Sequence, residues 1–247
     1  MAEHPIQESL NDLSFLAEGV RQQLEVFPGK FRELGEGGEL AKVLRTTRDL
    51  SGPKVEQKPE DFTEQYLIEP VLDGLGYQNP KSEDFDDEEA YFVRQPSTFR
   101  KIEIQRPDYL LKNLSPEVVC ILEAKAANRE YPGGKKEHAT DDIKEYVASN
   151  TFSKYLKSRE QRYLIAIGTD GLRWVLRAKD VRSGETIEPI DEKVDLSGVV
   201  ETLAQQEEVV EGIPTRTTLE IRQELAEEFV PYFSAHTMVD FVKDSFE

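Results

Sequence analysis

With 247 residues, of which 38% are hydrophobic, the chain is long enough for one large domain or a domain with a smaller appendage. It has no apolar run long enough to span a bilayer and no charged-then-apolar leader, so a soluble, cytoplasmic protein is expected. The formal charge of −18, from 49 acidic and 31 basic residues, argues against simple attraction to polyanions, and the single cysteine, Cys120 in the apolar "VVCIL", excludes disulfides and Cys/His zinc cages.

From the N-terminus, Leu10, Leu13, Leu16, Val20 and Leu24 recur at three- or four-residue spacing and predict helix over residues 1–30. The Gly-rich "ELGEGGEL" and the Pro-containing "LSGPKVEQKPED" flank a short helix from about 39 to 50, making residues 1–58 a helical N-terminal appendage. In "PEDFTEQYLIEPVLDGLGY", Asp61 is placed to cap a helix with an apolar stripe of Leu67, Ile68, Val71, Leu72 and Leu75, which Gly76 stops. An acidic loop, "EDFDDEEA", follows; elsewhere the acids are dispersed and the core positions ordinary, a pattern that favours salt adaptation over a surface that merely avoids polyanions. Strands are expected in "AYFVRQ", "FRKIEIQ", "DYLLK" and "VVCILEA", with "NLSPE" turning between the last two. "ATDDIKEYVASNTFSKYL" reads as one helix, and "RYLIAIGTDGLRWVLRAKD" as two strands joined by a "TDG" turn. After residue 197 the chain is helical again, with a Thr217/Glu220 capping box, and residues 197–247 form an extension suited to docking a partner. Helices alternating with strands predict an α/β core over residues 59–196, a mixed central sheet flanked by helices.

The charges in "RPDYLLKNLSPEVVCILEAKA" need a reason, because apolar strands rarely carry ionised groups without pairing them. Glu123 and Lys125 share one face of their strand with Val119 and Ile121, and the "NLSPE" turn folds Asp108 back beside them. Two converging carboxylates suit Mg²⁺, a hard cation that takes oxygen ligands, and the adjacent lysine can orient and help deprotonate a metal-bound water for attack on phosphorus. Three other acid-x-Lys triplets, ending at Lys58, Lys144 and Lys193, lie in polar segments; only the one at 123–125 ends an apolar strand. Glu64 falls on the apolar stripe of its helix, where it serves either a capping box with Asp61 or the carboxylate cluster, while Glu69 lies off the stripe and is expected to be solvated.

In combination, Glu64, Pro107-Asp108 and Glu123-Ala124-Lys125 resemble the PD-(D/E)xK nuclease superfamily. "TEQYLIEPVLDGLGY", "PDYLL", "ILEAKA" and "GTDGLRWVL" more closely resemble the N-terminal nuclease domain of type I restriction enzyme motor subunits and of fused type IIG enzymes, over roughly residues 60–180. The resemblance implies a restriction-endonuclease-like fold, Mg²⁺ held by Asp108 and Glu123 with support from Glu64, a water positioned by Lys125, and products bearing a 5′-phosphate. The sequence departs from the family pattern where a Gln often precedes a helical Tyr by four residues: Tyr146 is kept, but Asp142 replaces the amide.

For DNA binding by an acidic chain, basic residues near the proposed site supply a local groove: Arg94, Arg100, Lys101 and Arg106 before it, Arg129, Lys135 and Lys136 after it, then Lys154, Lys157, Arg159 and Arg162, with Tyr146 beside them. No Walker motif encodes a motor, and no Gly-rich or Asn/Asp-Pro-Pro-aromatic motif encodes a methyltransferase, so target choice and modification are expected from specificity, methyltransferase or motor subunits on other chains or from a region removed from this one. Two alternatives stay open: a catalytically silent module that binds DNA or a partner, and a nuclease acting on RNA or structured DNA.

Overall fold

The two longest apolar strands pair in parallel at the centre of a mixed sheet. In the computed structural model, which describes residues 5–46, 48–51, 57–97, 106–129, 138–190 and 193–247, β3 (Val118–Ala124) and β4 (Tyr163–Thr169) are buried at every position. Burial on both faces explains why these strands lack polar alternation. Antiparallel β2 (Tyr109–Lys112) and β1 (Tyr91–Arg94) extend the sheet on one side, and β5 (Arg173–Asp180) with the short β6 (Thr186–Ile187) and β7 (Val194–Asp195) extend it on the other. This is the expected α/β architecture: among the described residues, seven strands, all antiparallel except the β3–β4 pair, form an open sheet flanked by helices. The expected strand "FRKIEIQ" lies outside the described residues.

The parallel pair needs a crossover, made by α6 (Ala139–Ala148) and α7 (Asn150–Lys157). Sequence periodicity joins them into one helix. The structure breaks them at Ser149, which is extended at φ −64, ψ 116 and accepts a hydrogen bond from Phe152 N at 3.1 Å, capping α7. The N-terminal periodicity likewise splits, into α1 (Pro5–Leu24) and α2 (Val26–Leu34), the latter ended by Gly35 at φ 69. After α3 (Gly37–Arg45), α4 (Pro59–Thr63) runs through a π turn over Glu64–Ile68 into α5 (Glu69–Gly74), with Glu69 N donating to Glu64 O. Pro70 accounts for the widening: it has no N–H, and its ring would strike the Tyr66 carbonyl four residues back in a regular helix. Helices α8 (Ser197–Gln206), α9 (Thr218–Glu228), α10 (Val230–Phe233) and α11 (Met238–Asp244) complete the chain; Thr217 and Glu220 form the expected capping box at α9.

Strand alternation divides the core between the two sheet faces. Leu110, Val119, Ile121, Leu164 and Ala166 pack under Ile143, Tyr146, Phe152 and Leu156 of the crossover. On the other face, Cys120, Leu122, Ile165, Ile167 and Trp174 share one cluster with Phe27, Leu67, Val200, Phe229 and Phe233, so residues from all three expected regions meet in a single core. Trp174 is fully buried, its ring 5.4 Å from Phe229 and 5.5 Å from Phe233. Helices α1 and α5 touch at Gly74, where a Cβ would come within 2.7 Å of Val20 Cα. No described helix is long and apolar enough to cross a membrane.

Candidate active site

The β2–β3 register pairs Tyr109 with Leu122, which sets Asp108 beside Glu123 at one end of the sheet. Asp108 Oδ2 accepts a hydrogen bond from Ala124 N at 2.8 Å, fixing that carboxylate against the end of β3. Glu123, 3% exposed, receives Lys125 Nζ at 3.0 Å on Oε1 and the Tyr146 hydroxyl at 3.4 Å on Oε2. Lys125 Nζ also pairs with Asp142 Oδ2 at 2.7 Å. Asp108, Glu123 and Lys125 are thus brought together, and α6 closes the cluster with Asp142 and Tyr146, one turn apart on a buried face. Asp142 enters the sequence reading only as a departure from the family pattern; here it anchors the lysine. Its spacing of four from Tyr146 is the signal that it faces the same way.

Glu123 and Asp142 contact the ammonium, and Asp108 lies within electrostatic reach of it. Burial, reinforced by the Asp108 charge, pushes Glu123 up to about 8. Burial also raises Asp108, although the Ala124 N–H moderates the shift. For Lys125 burial works against the charge, but Glu123 and Asp142 outweigh it and hold the ammonium above its ordinary range. The site therefore carries more buried negative charge than its lysine neutralises, and it favours uptake of a proton or a further cation. Among the described residues, no group of three or more His, Cys, Asp or Glu side chains is gathered to enclose a metal ion. Mg²⁺ does not need such a cage, since it keeps several waters and binds through one or two carboxylates plus substrate phosphate. The Asp108–Glu123 pair fits that requirement.

Glu64 belongs to an adjoining cluster. It is 4% exposed, and its Oε2 accepts a hydrogen bond from the Tyr109 hydroxyl at 2.5 Å and pairs with Arg94 Nε at 3.0 Å. Burial raises Glu64 to about 7, with Tyr109 and Arg94 opposing the shift and Asp108 adding to it. Two expectations are corrected here. Asp61 does not cap the helix, which begins at Pro59; it sits in the first turn and pairs with Arg94 at 3.1 Å. Nor is Glu69 simply solvated: it accepts from the Tyr109 hydroxyl at 3.1 Å and lies 3.7 Å from Arg94. Glu60, one turn before Glu64, lies within electrostatic reach of Asp108 and Lys125, and is raised by desolvation and then by Asp108. The sequence hides Glu60, because acids are ordinary in a first helical turn.

The basic residues divide. Arg106 is exposed beside Asp108, and Lys154, Lys157 and Arg159 are exposed along and just after α7. Arg129 is paired with Asp49, Arg162 with Asp180 at 3.0 Å, and Arg94 with the helix carboxylates, so these three serve partners within the chain. Arg100, Lys101, Lys135 and Lys136 lie outside the described residues. Tyr146, 3% exposed, covers Glu123 from above the sheet face.

Over 155 residues, 63% of its length, the chain is 29% identical to a protein of Methanocaldococcus jannaschii whose name assigns it, provisionally, as a type II restriction enzyme and methyltransferase. It spans about 10% of that relative's length. No family model matches the chain, and no solved structure matches it.

Proposed function

We propose that the chain is a Mg²⁺-dependent endonuclease domain of a restriction system, hydrolysing phosphodiester bonds in DNA. The observation that carries this reading is the buried Asp108–Glu123 pair with Lys125 held beside it, a cluster with surplus negative charge at the end of a mixed sheet. Strongly perturbed carboxylates around one specific charge partner are a signature of functional sites. The motif resemblance and the name of the distant relative support the restriction context.

In this mechanism Asp108 and Glu123 would hold the metal, and the helix carboxylates Glu60 and Glu64 lie within electrostatic reach of Asp108. Bound there, Mg²⁺ supplies a more acidic water and charge neutralisation at phosphorus. Lys125, kept charged by Glu123 and Asp142, acts as a donor that orients the attacking water and a phosphate oxygen. Tyr146 holds the second Glu123 oxygen, which fixes the carboxylate plane. Exposed Arg106 is available to phosphates, whereas Arg159 sits against the β2–β3 turn, at the opposite end of β3 from the site.

The test is cleavage of unmethylated plasmid with Mg²⁺ across a KCl series. Nicking or linearisation by the native chain is expected, and Lys125→Ala should lower the rate by about 10²-fold or more. Equal rates for the two folded proteins would reject the site, and no cleavage by either would reject nuclease activity of this chain alone.

A further inference from the structure

Residues 125–129 leave β3 as a short strap that carries Lys125, and most of its polar groups are tied to distant parts of the chain. Lys125 N donates to Thr169 O at 2.9 Å, Ala127 N donates to Thr63 Oγ1 at 2.9 Å, and Ala127 O accepts from Leu50 N at 2.8 Å. Asn128 stands at the bend with φ 69 and 2% exposure. Its Nδ2 donates to both Thr46 O and Arg48 O at 2.7 Å, and its Oδ1 accepts from Arg173 Nη1 at 2.7 Å. Arg173, itself 4% exposed, reaches on to Ser197 Oγ at 3.3 Å and Asp195 at 3.2 Å.

A hairpin turn is normally solvated. The "TDG" turn that precedes Arg173 is instead buried: Thr169 and Asp170 have no exposure, and Asp170 Oδ1 accepts from Leu172 N at 3.0 Å and Arg173 N at 2.7 Å. Joining β4 to β5 does not require a buried guanidinium, which is costly to desolvate and is retained only with full pairing. What Arg173 contributes is a bridge from the strap to the start of α8, while Asn128 bridges the strap to the end of the N-terminal helices.

We propose that Asn128 and Arg173 are positioning residues: they hold strap 125–129 so that the Lys125 ammonium projects between Glu123 and Asp142. The catalytic consequence rests on the nuclease reading above; the structural claim stands on its own contacts.

Asn128→Gly preserves the left-handed bend and removes the amide, which separates backbone geometry from the side-chain bridge. Arg173→Lys keeps the charge without the fork needed to reach Asn128, Ser197 and Asp195 together. In the full chain, amide hydrogen exchange at Lys125 and Ala127 should accelerate by about tenfold or more in Asn128→Gly, with β4 amides unchanged. With plasmid, kcat should fall by about tenfold while KM stays within about twofold, and Asn128→Asp, which keeps the acceptor for Arg173, should recover part of the loss. Unchanged exchange at the strap would overturn the proposal. So would equal acceleration throughout β4, which would mark a merely structural role, or an unchanged kcat on a loosened strap. If the native chain cleaves no DNA, the nuclease reading fails on that result, and the exchange data still decide whether these two residues hold the strap.

Discussion

Glu123 ionises in the unfolded chain near its ordinary value of 4.5, but in the folded protein burial and Asp108 hold its proton up to about 8. Below the lower value both states are protonated and stability from this group is fully present. As pH rises towards the upper value the unfolded chain gives up its proton first, so stability is lost across that window. Melting temperature in EDTA should therefore fall from about pH 5 to about pH 9, and Glu123→Gln should flatten that slope while abolishing cleavage. Added Mg²⁺ should raise the melting temperature of the native protein in the alkaline part of the range and leave Glu123→Gln unmoved; an equal rise in both would disprove the metal assignment. Asp108, Glu123 and Lys125 could be read from the sequence because strand alternation and one turn force them together. Asp142 offered one signal, its spacing of four from Tyr146, and Glu60 offered none. In a chain with 49 acids, a carboxylate like Glu60 differs from a solvated one only through tertiary packing.

At the level of elements, the long apolar strands and the Thr217/Glu220 capping box were legible, while the start of the helix at Pro59 and the breaks between helices were not. The α6–α7 periodicity is continuous, and only the Ser149 cap reveals where the chain turns. Ser149→Ala should cost about 1 kcal/mol, measurable by denaturant titration. Gly74 is a harder constraint, because a methyl there meets the backbone of Val20 rather than a movable side chain. Gly74→Ala should force α1 off α5 and cost about 1–3 kcal/mol, a loss of several degrees in melting temperature. The π turn was likewise unreadable from hydrophobic spacing, although Pro70 supplies its cause. By widening the helix within one turn of Glu64, it alters how the stripe meets the sheet without ending the helix.

For the whole molecule, the chain's three expected regions converge on one apolar cluster, and the strap joins them again through polar contacts. Periodicity reports which residues face inward but not which distant segments they meet, so this convergence had no local signature. The charge of −18 was plain from composition, and with it the expectation of salt adaptation. If that expectation is right, melting temperature should climb continuously into molar KCl, well past the concentration at which screening of exposed charges is complete. A plateau by about 0.2 M would instead indicate simple relief of repulsion. The buried ring of Trp174 has a practical consequence. It is the chain's single tryptophan, seated where β5 meets α9 and α10 and one residue from Arg173. Its emission is therefore a built-in optical gauge of that seam. If a red shift during unfolding precedes the loss of far-ultraviolet circular dichroism, the C-terminal helices peel from the sheet before the sheet itself gives way.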